Sequence, residues 1–386
     1  MKILYASKRP PFPFFQGGAA RSAHYLLSTL NNSFNATCKA IGDREFQDKD
    51  WPAPSPEDYC TLRIKSVDEA DGLTQINSAY PAKIFNNFSQ EIHQFVRDYS
   101  PDIIWTQLDG ADFVAKIGVE HGIKTILFLR DAEDTPYKLK PIASSGVCIV
   151  CNSQFMANRI KAITGREAPV IYPSLEKSFG VTGSPEGYIT MINPTPVKGI
   201  DTFLEIARLM PQEKFLLVES WTLNDSALNK LKAQLENLPN VRFSHRVPDV
   251  ATIFSQTKLL LAPSKWEEAF GRVVIEAQSC RIPVIASSRG GLPESLGKGG
   301  ICIKDYLSPS AWVTAIHSIL NSPEEYARLA TLAYEHANSE QFTTTYAAQN
   351  FMAICARQSN FEPSLLHKAQ AAIKHLVKKP SHNVRK

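Results

Sequence analysis

Seven residues separate two glutamates, Glu268 and Glu276, in the segment Trp266-Glu-Glu-Ala-Phe-Gly-Arg-Val-Val-Ile-Glu-Ala277. The segment follows an apolar strand pattern over 258–263 and opens an amphipathic helix, which puts Glu268 in the connecting loop and Glu276 on the helix. A helix rises about 1.5 Å per residue, so two carboxylates at this spacing can reach different parts of one extended ligand. Between them, Phe270-Gly271 places a small residue at the helix start, where backbone N–H groups lack intrahelical partners. That is a ready site for a phosphate. Taken alone, the spacing is better read as two solvated glutamates flanking a helix cap, so its weight rests on the elements around it.

Those elements alternate between short apolar runs and longer helical patterns, the signature of parallel βαβ units. In the first half, strand patterns fit 2–6, 36–41, 103–106, 125–129, 147–151 and 170–172, and helical patterns fit 18–32, 83–99, 111–121 and 154–163. In the second half, strands fit 188–192, 215–218, 241–243, 258–262, 284–286 and 301–303. Helices there fit 199–210, 226–236, 250–255, 272–280, 309–320 and 323–338. Pro173, Gly180, Gly183, Pro185 and Gly187 interrupt all periodicity over 172–187, the expected linker. The pattern predicts an α/β protein of two doubly wound, Rossmann-like domains, residues 1–175 and 186–341, facing each other across a cleft. Ligands in such sheets sit at the carboxyl ends of the strands. Residues 43–81 are polar and weakly patterned, and no element is predicted there.

Composition narrows the class further. The 386 residues are 44% hydrophobic and 21% charged, which suits folded domains and excludes wholesale disorder. No apolar run reaches the roughly 18 residues needed to span a bilayer. Met1-Lys2-Ile3-Leu4-Tyr5 enters a strand pattern directly, and a cytoplasmic location is the expectation. The net charge of +4 is uneven: residues 364–386 hold six Lys or Arg and no acid, so the rest carries −2. A nucleic-acid partner is not expected of such a body. The tail has Leu365, Ala369, Ile373 and Leu376 at helical spacing among its lysines, which reads equally as a helix packed on the body and as a basic contact with an anionic membrane surface. The seven cysteines are scattered and odd in number, against a disulfide framework. Cys148 and Cys151 lie within an apolar strand pattern and read as buried thiols. No His/Cys/Asp cluster has metal-ligand spacing, and neither a metal nor another cofactor is expected.

The strand, loop, Glu-Ala-Phe-Gly-Arg and helix, followed by Ile282-Pro-Val-Ile-Ala-Ser-Ser-Arg-Gly-Gly-Leu-Pro-Glu294, resemble the retaining glycosyltransferases of the GT-B fold, specifically glycosyltransferase family 4, the group 1 glycosyl transferases. The resemblance extends through Gly17-Gly18-Ala19, Cys151-Asn-Ser153, Ile171-Tyr-Pro173 and Asn193-Pro-Thr-Pro-Val-Lys-Gly199. It implies that residues 342–386 cross back to an N-terminal, acceptor-side domain, and that the C-terminal domain binds a nucleotide-sugar donor. By the same resemblance, Glu268 accepts hydrogen bonds from donor-sugar hydroxyls, and the amides of Ala269, Phe270 and Gly271 bind sugar and diphosphate. Glu276 holds the ribose, and Lys198 faces the diphosphate as the glycosidic bond breaks. Gly17 and Gly18 let the backbone approach phosphate or acceptor, and Arg246 and Val247 hold the base through main-chain groups.

Two departures from the family pattern bear on mechanism. A Gly-Arg pair is usual after the first strand of the second domain, and this chain has Ile192-Asn193-Pro194. Arg272 or a first-domain residue must then supply the missing cation. A histidine is usual after the strand 125–129, where this chain has Arg130-Asp131-Ala-Glu133-Asp134. Arg130 is the candidate cation from across the cleft and Asp131 a candidate acceptor contact; a surface ion pair between them is the alternative. The resemblance implies same-face, metal-independent transfer of a hexose, with a UDP-sugar favoured as donor and a saccharide or lipid-linked saccharide as acceptor. A nucleotide-sugar epimerase of the same fold and a catalytically silent nucleotide-sugar-binding protein are the competing readings.

Overall fold

The computed structural model describes residues 1–15, 17–46, 64–70, 73–132, 146–175, 179–247 and 249–357. The basic tail over 364–386, Glu133 and Asp134 lie outside the described residues.

Two sheets organise the chain. The first has the order β3-β4-β5-β2-β1-β6-β7-β8. Its strands are β1 Lys2–Ala6, β2 Thr37–Asp43, β3 Ser66–Ala70, β4 Leu73–Asn77, β5 Pro81–Phe85, β6 Ile103–Gln107, β7 Lys124–Leu129 and β8 Cys148–Cys151. The second has the order β11-β10-β9-β12-β13-β14. It contains β9 Tyr188–Ile192, β10 Phe215–Val218, β11 Val241–Ser244, β12 Thr257–Ala262, β13 Val284–Ser287 and β14 Gly300–Ile303. Every pairing in the second sheet is parallel, and in the first only β3 with β4 and β4 with β5 are antiparallel. Strand order reverses at β1 in the first sheet and at β9 in the second, and the loops leaving their carboxyl ends bound the cleft.

The central strands are apolar on both faces because helices cover both sides. In β6, for example, Trp105 packs into one core and Ile104 into the opposite one. The helix Thr344–Arg357 lies far along the chain yet belongs to the first domain. Its Ala347, Ala348, Phe351, Ile354 and Cys355 join Leu26, Leu27 and Leu30 in one core. The Phe351 ring stands 5.3 Å from that of Trp105.

Several elements differ from expectation, among them an unforeseen short helix Leu292–Leu296. Residues 83–99 are not one helix: β5 pairs with β2 before the helix Phe88–Tyr99 begins. Ile84 and Phe85 face opposite sides of the sheet, a period of two that the following helical pattern obscured. Val170 forms only an isolated bridge with Cys151 in place of a strand. Within 43–81, β3 and β4 form an antiparallel edge whose outward residues are polar, leaving few apolar positions such as Ile76 to mark it. The six cysteines among the described residues are all free. Burial pushes the Cys148 thiol up to about 11 and that of Cys151 to about 12, as suits packed thiols.

Candidate active site

The cleft between the sheets has a volume of about 410 Å³ and is lined from both domains. On the second-domain side, the turn Pro196–Lys198 follows β9 and closes on Gly199, whose φ is +86°. A Cβ on Gly199 would stand 2.0 Å from the Pro263 carbonyl oxygen, so only glycine lets the β9 and β12 loops approach this closely. The approach brings Lys198 to Glu268. Its Nζ donates to Glu268 Oε1 at 2.5 Å, and the Ser264 hydroxyl donates to the same oxygen at 2.6 Å. The Lys198 and Glu268 side chains are 16% and 13% exposed, so their pairing is shielded from water but open to the cleft. The ammonium also lies 5.0 Å from the Trp221 ring and 4.5 Å from that of Trp266.

Gly271, with φ +92°, begins the helix Arg272–Ser279. The Gly291 amide donates to the Glu268 carbonyl at 2.7 Å and fixes the loop beneath the carboxylate. Arg272 is not turned away from the cleft. Its Nε donates to Glu276 at 2.5 Å, and its Nη1 donates across the cleft to Ser22 Oγ at 2.6 Å. Gly18 lies against it, and a Cβ there would be 3.3 Å from Arg272 Cδ. Gly17 is the N-cap of the first-domain helix Gly18–Ser33, whose first turn holds no acid and therefore leaves its amide dipoles uncancelled. Asn193 has φ +72° and is buried, the left-handed region that asparagine tolerates better than most residues.

On the first-domain side, Arg130 leaves β7. Its guanidinium stacks on Phe128 with 3.8 Å to the ring centre, and Nε donates to Gln107 Oε1 at 3.0 Å. Nη1 is buried with no hydrogen-bond partner among the described residues. Burial pushes this guanidinium down to about 9, opposed by the nearby Tyr5. Gln107, the buried polar end of β6, donates in turn to the Ala19 carbonyl at 3.0 Å and to Tyr5 Oη at 3.2 Å. It thereby ties Arg130 to the first turn of the helix Gly18–Ser33. Asp131 is exposed and lines the same cleft.

Arg246 and Val247 also line the cleft. Their loop is held by Glu219, whose Oε1 accepts from the Leu223 amide at 2.8 Å and whose Oε2 lies 3.0 Å from His245 Nδ1. Burial opposes the charge on Glu219, but the Leu223 amide and His245 outweigh it and hold the carboxyl below its usual range. Among the described residues no three His, Cys, Asp or Glu converge to hold a metal.

The domains also touch through direct contacts. Ser153 donates to the Ala269 carbonyl at 2.5 Å, and Arg159 pairs with Glu267 at 2.5 Å. Glu294 accepts from the Gln154 and Phe155 amides at 2.7 and 3.2 Å and from the Tyr172 hydroxyl at 2.5 Å. A second-domain carboxylate thus caps a first-domain helix.

The fourteen candidates from the sequence all fall at this cleft or, for Gly17, one residue from it. Gln107, Glu219, Trp221, Ser264 and Ser22 escaped notice. The available signal was a polar residue ending an otherwise apolar strand, as Gln107 does in β6 and as Glu219 does just after β10.

Two facing doubly wound domains with this cleft define the GT-B fold. Sucrose-phosphate synthase from Thermosynechococcus elongatus matches with a TM-score of 0.74 at 16% identity, over 92% of this chain and 99% of that one. HepE from Anabaena, solved in complex with UDP and glucose, matches with a TM-score of 0.72 at 18% identity, over 92% and 100%. At the level of family, residues 176–336 match the glycosyl transferases group 1. Spore coat protein SA of Bacillus subtilis is 27% identical over 153 residues, 37% of this chain and 40% of that protein. D-inositol 3-phosphate glycosyltransferase of Streptomyces scabiei is 35% identical over 125 residues, 31% and 28% of the respective chains. The aligned stretches therefore span less than half of either curated relative.

Proposed function

We propose that this chain is a retaining glycosyltransferase that moves a hexose from a nucleotide-diphosphate sugar to a saccharide or lipid-linked saccharide without a metal ion. UDP-glucose is the favoured donor, in keeping with HepE, which has been solved with UDP-glucose. The observation that carries the reading is the Lys198–Glu268 pair, a cation and a carboxylate side by side at the cleft where the two parallel strands β9 and β12 end. In this reading the donor separates the pair. Lys198 turns to the diphosphate and Glu268 accepts from sugar hydroxyls, so each loses one charged partner and gains another. Arg130 and the amides at Gly271 supply the remaining positive field for the leaving diphosphate. The departing phosphate takes the acceptor's hydroxyl proton as the acceptor oxygen bonds to the anomeric carbon on the same face. Asp131 contacts the acceptor, and the basic tail rests on an anionic surface that carries lipid-linked acceptors.

Incubation with a panel of nucleotide sugars, with and without a saccharide acceptor and in the presence or absence of excess EDTA, tests this directly. Nucleotide release that requires acceptor and survives EDTA is expected. Complete loss in EDTA, restored by Mn²⁺ or Mg²⁺, overturns the metal-free scheme, and no release with any donor overturns the function.

Glu276 gives a separate expectation. It exchanges Arg272 for the ribose hydroxyls when nucleotide binds, so Glu276→Ala should weaken UDP affinity by about 1.5–3 kcal/mol, the scale of a charged hydrogen bond. Calorimetric titration with UDP measures it, and an unchanged affinity leaves Glu276 as an anchor for Arg272 alone.

A further inference from the structure

One aromatic side chain in the cleft has no part in the scheme above. Trp221 lies three residues beyond β10 and is 47% exposed, an unusual cost for so large an apolar ring. It is nevertheless held in place. Its ring centre is 5.6 Å from that of Trp266 at an interplanar angle of 68°, and Lys198 Nζ lies 5.0 Å away. Its loop is pinned by the Glu219 carboxylate, which takes the Leu223 amide on one oxygen and His245 on the other.

Topology says what such a ring faces. β10 runs between β9 and β11. The β9 loop carries Lys198, assigned to the diphosphate, and the β11 loop carries Arg246 and Val247, assigned to the base. A ring at the carboxyl end of β10 therefore stands between phosphate and base. Glu268, assigned to the sugar, follows β12 on the opposite side of β9.

We propose that Trp221 is the stacking surface for the nucleobase of the donor, an inference that rests on the nucleotide-sugar reading above. A heterocycle laid on the exposed indole removes its apolar face from water and adds a π contact of the kind that binds bases with little regard to their identity. Stacking then supplies affinity, while discrimination among bases falls to the polar groups of the β11 loop.

The test compares UDP, ADP and GDP with inorganic pyrophosphate, titrated into the full chain and into Trp221→Ala and Trp221→Tyr variants. Trp221→Ala should weaken all three nucleotides about tenfold or more and leave pyrophosphate unchanged. Trp221→Tyr should retain most of the affinity. It should also lose most of the tryptophan-fluorescence quenching that UDP causes in the unaltered chain, a signature that a fold defect does not produce. Equal weakening of pyrophosphate by Trp221→Ala would reduce the ring to a prop for Lys198 and overturn the proposal, as would unchanged UDP affinity. An unaltered chain that binds pyrophosphate but no nucleotide would overturn the donor reading as well.

Discussion

Replacing Glu268 with alanine should lower turnover at least about a hundredfold, the loss that follows removal of a positioned polar contact to a reacting centre. The surroundings of Glu268 sharpen the expectation. Its carboxylate is the partner of Lys198 and also accepts from Ser264. Removing it leaves the ammonium shielded against two indole rings and without a counter-ion. A nucleoside diphosphate can supply that counter-ion, so UDP should bind Glu268→Ala at least as tightly as it binds the unaltered chain. Steady-state kinetics beside a UDP titration separates the two effects. Near-normal transfer would remove Glu268 from the chemistry, and a parallel fall in UDP affinity would make it a binding residue only.

Arg130→Ala should produce the second large loss, about a hundredfold in turnover with little change in the affinity for free nucleotide. The family's usual diphosphate arginine is missing at Asn193, Arg272 is engaged by Glu276 and Ser22, and Lys198 by Glu268. Arg130 instead offers a buried Nη1 with no partner among the described residues, on a guanidinium fixed by Gln107 and Phe128. A cation desolvated to this degree gains most from an anion delivered beside it, and closure of the cleft on the donor is the step that delivers one. Lysine should not substitute, because an ammonium can neither stack flat on Phe128 nor hold the Nε bond to Gln107. Equal losses in turnover and nucleotide affinity would place Arg130 in ground-state binding, and no loss in either would remove it from the site.

The second-domain side of the cleft was legible in the sequence because its geometry is local. Lys198 and Glu268 each follow a parallel strand within a few residues, and Gly199 and Gly271 mark the turns that aim them. The cross-cleft contacts were not legible for the opposite reason. Arg272 meets Ser22 from 250 positions away, and nothing in either local pattern records the other. Arg130 could be placed at the cleft from the strand before it, but its support by Gln107 depends on β6 and β7 being neighbours in register. Trp221 went unread because its meaning lies in which strands flank β10, and strand order is not a property of any short segment. The polar edge over 43–81 was invisible for want of a second buried face.

The helix Thr344–Arg357 carries a consequence for how the protein is made. The first core includes Phe351 packed on Trp105, and Ala347 and Ala348 against the helix Gly18–Ser33. A ribosome delivers these residues only after the whole second sheet has emerged. The amino-terminal half therefore leaves the tunnel first but matures last, with an apolar groove uncovered throughout synthesis of the half that follows. Order of birth and order of completion run in opposite directions along this chain.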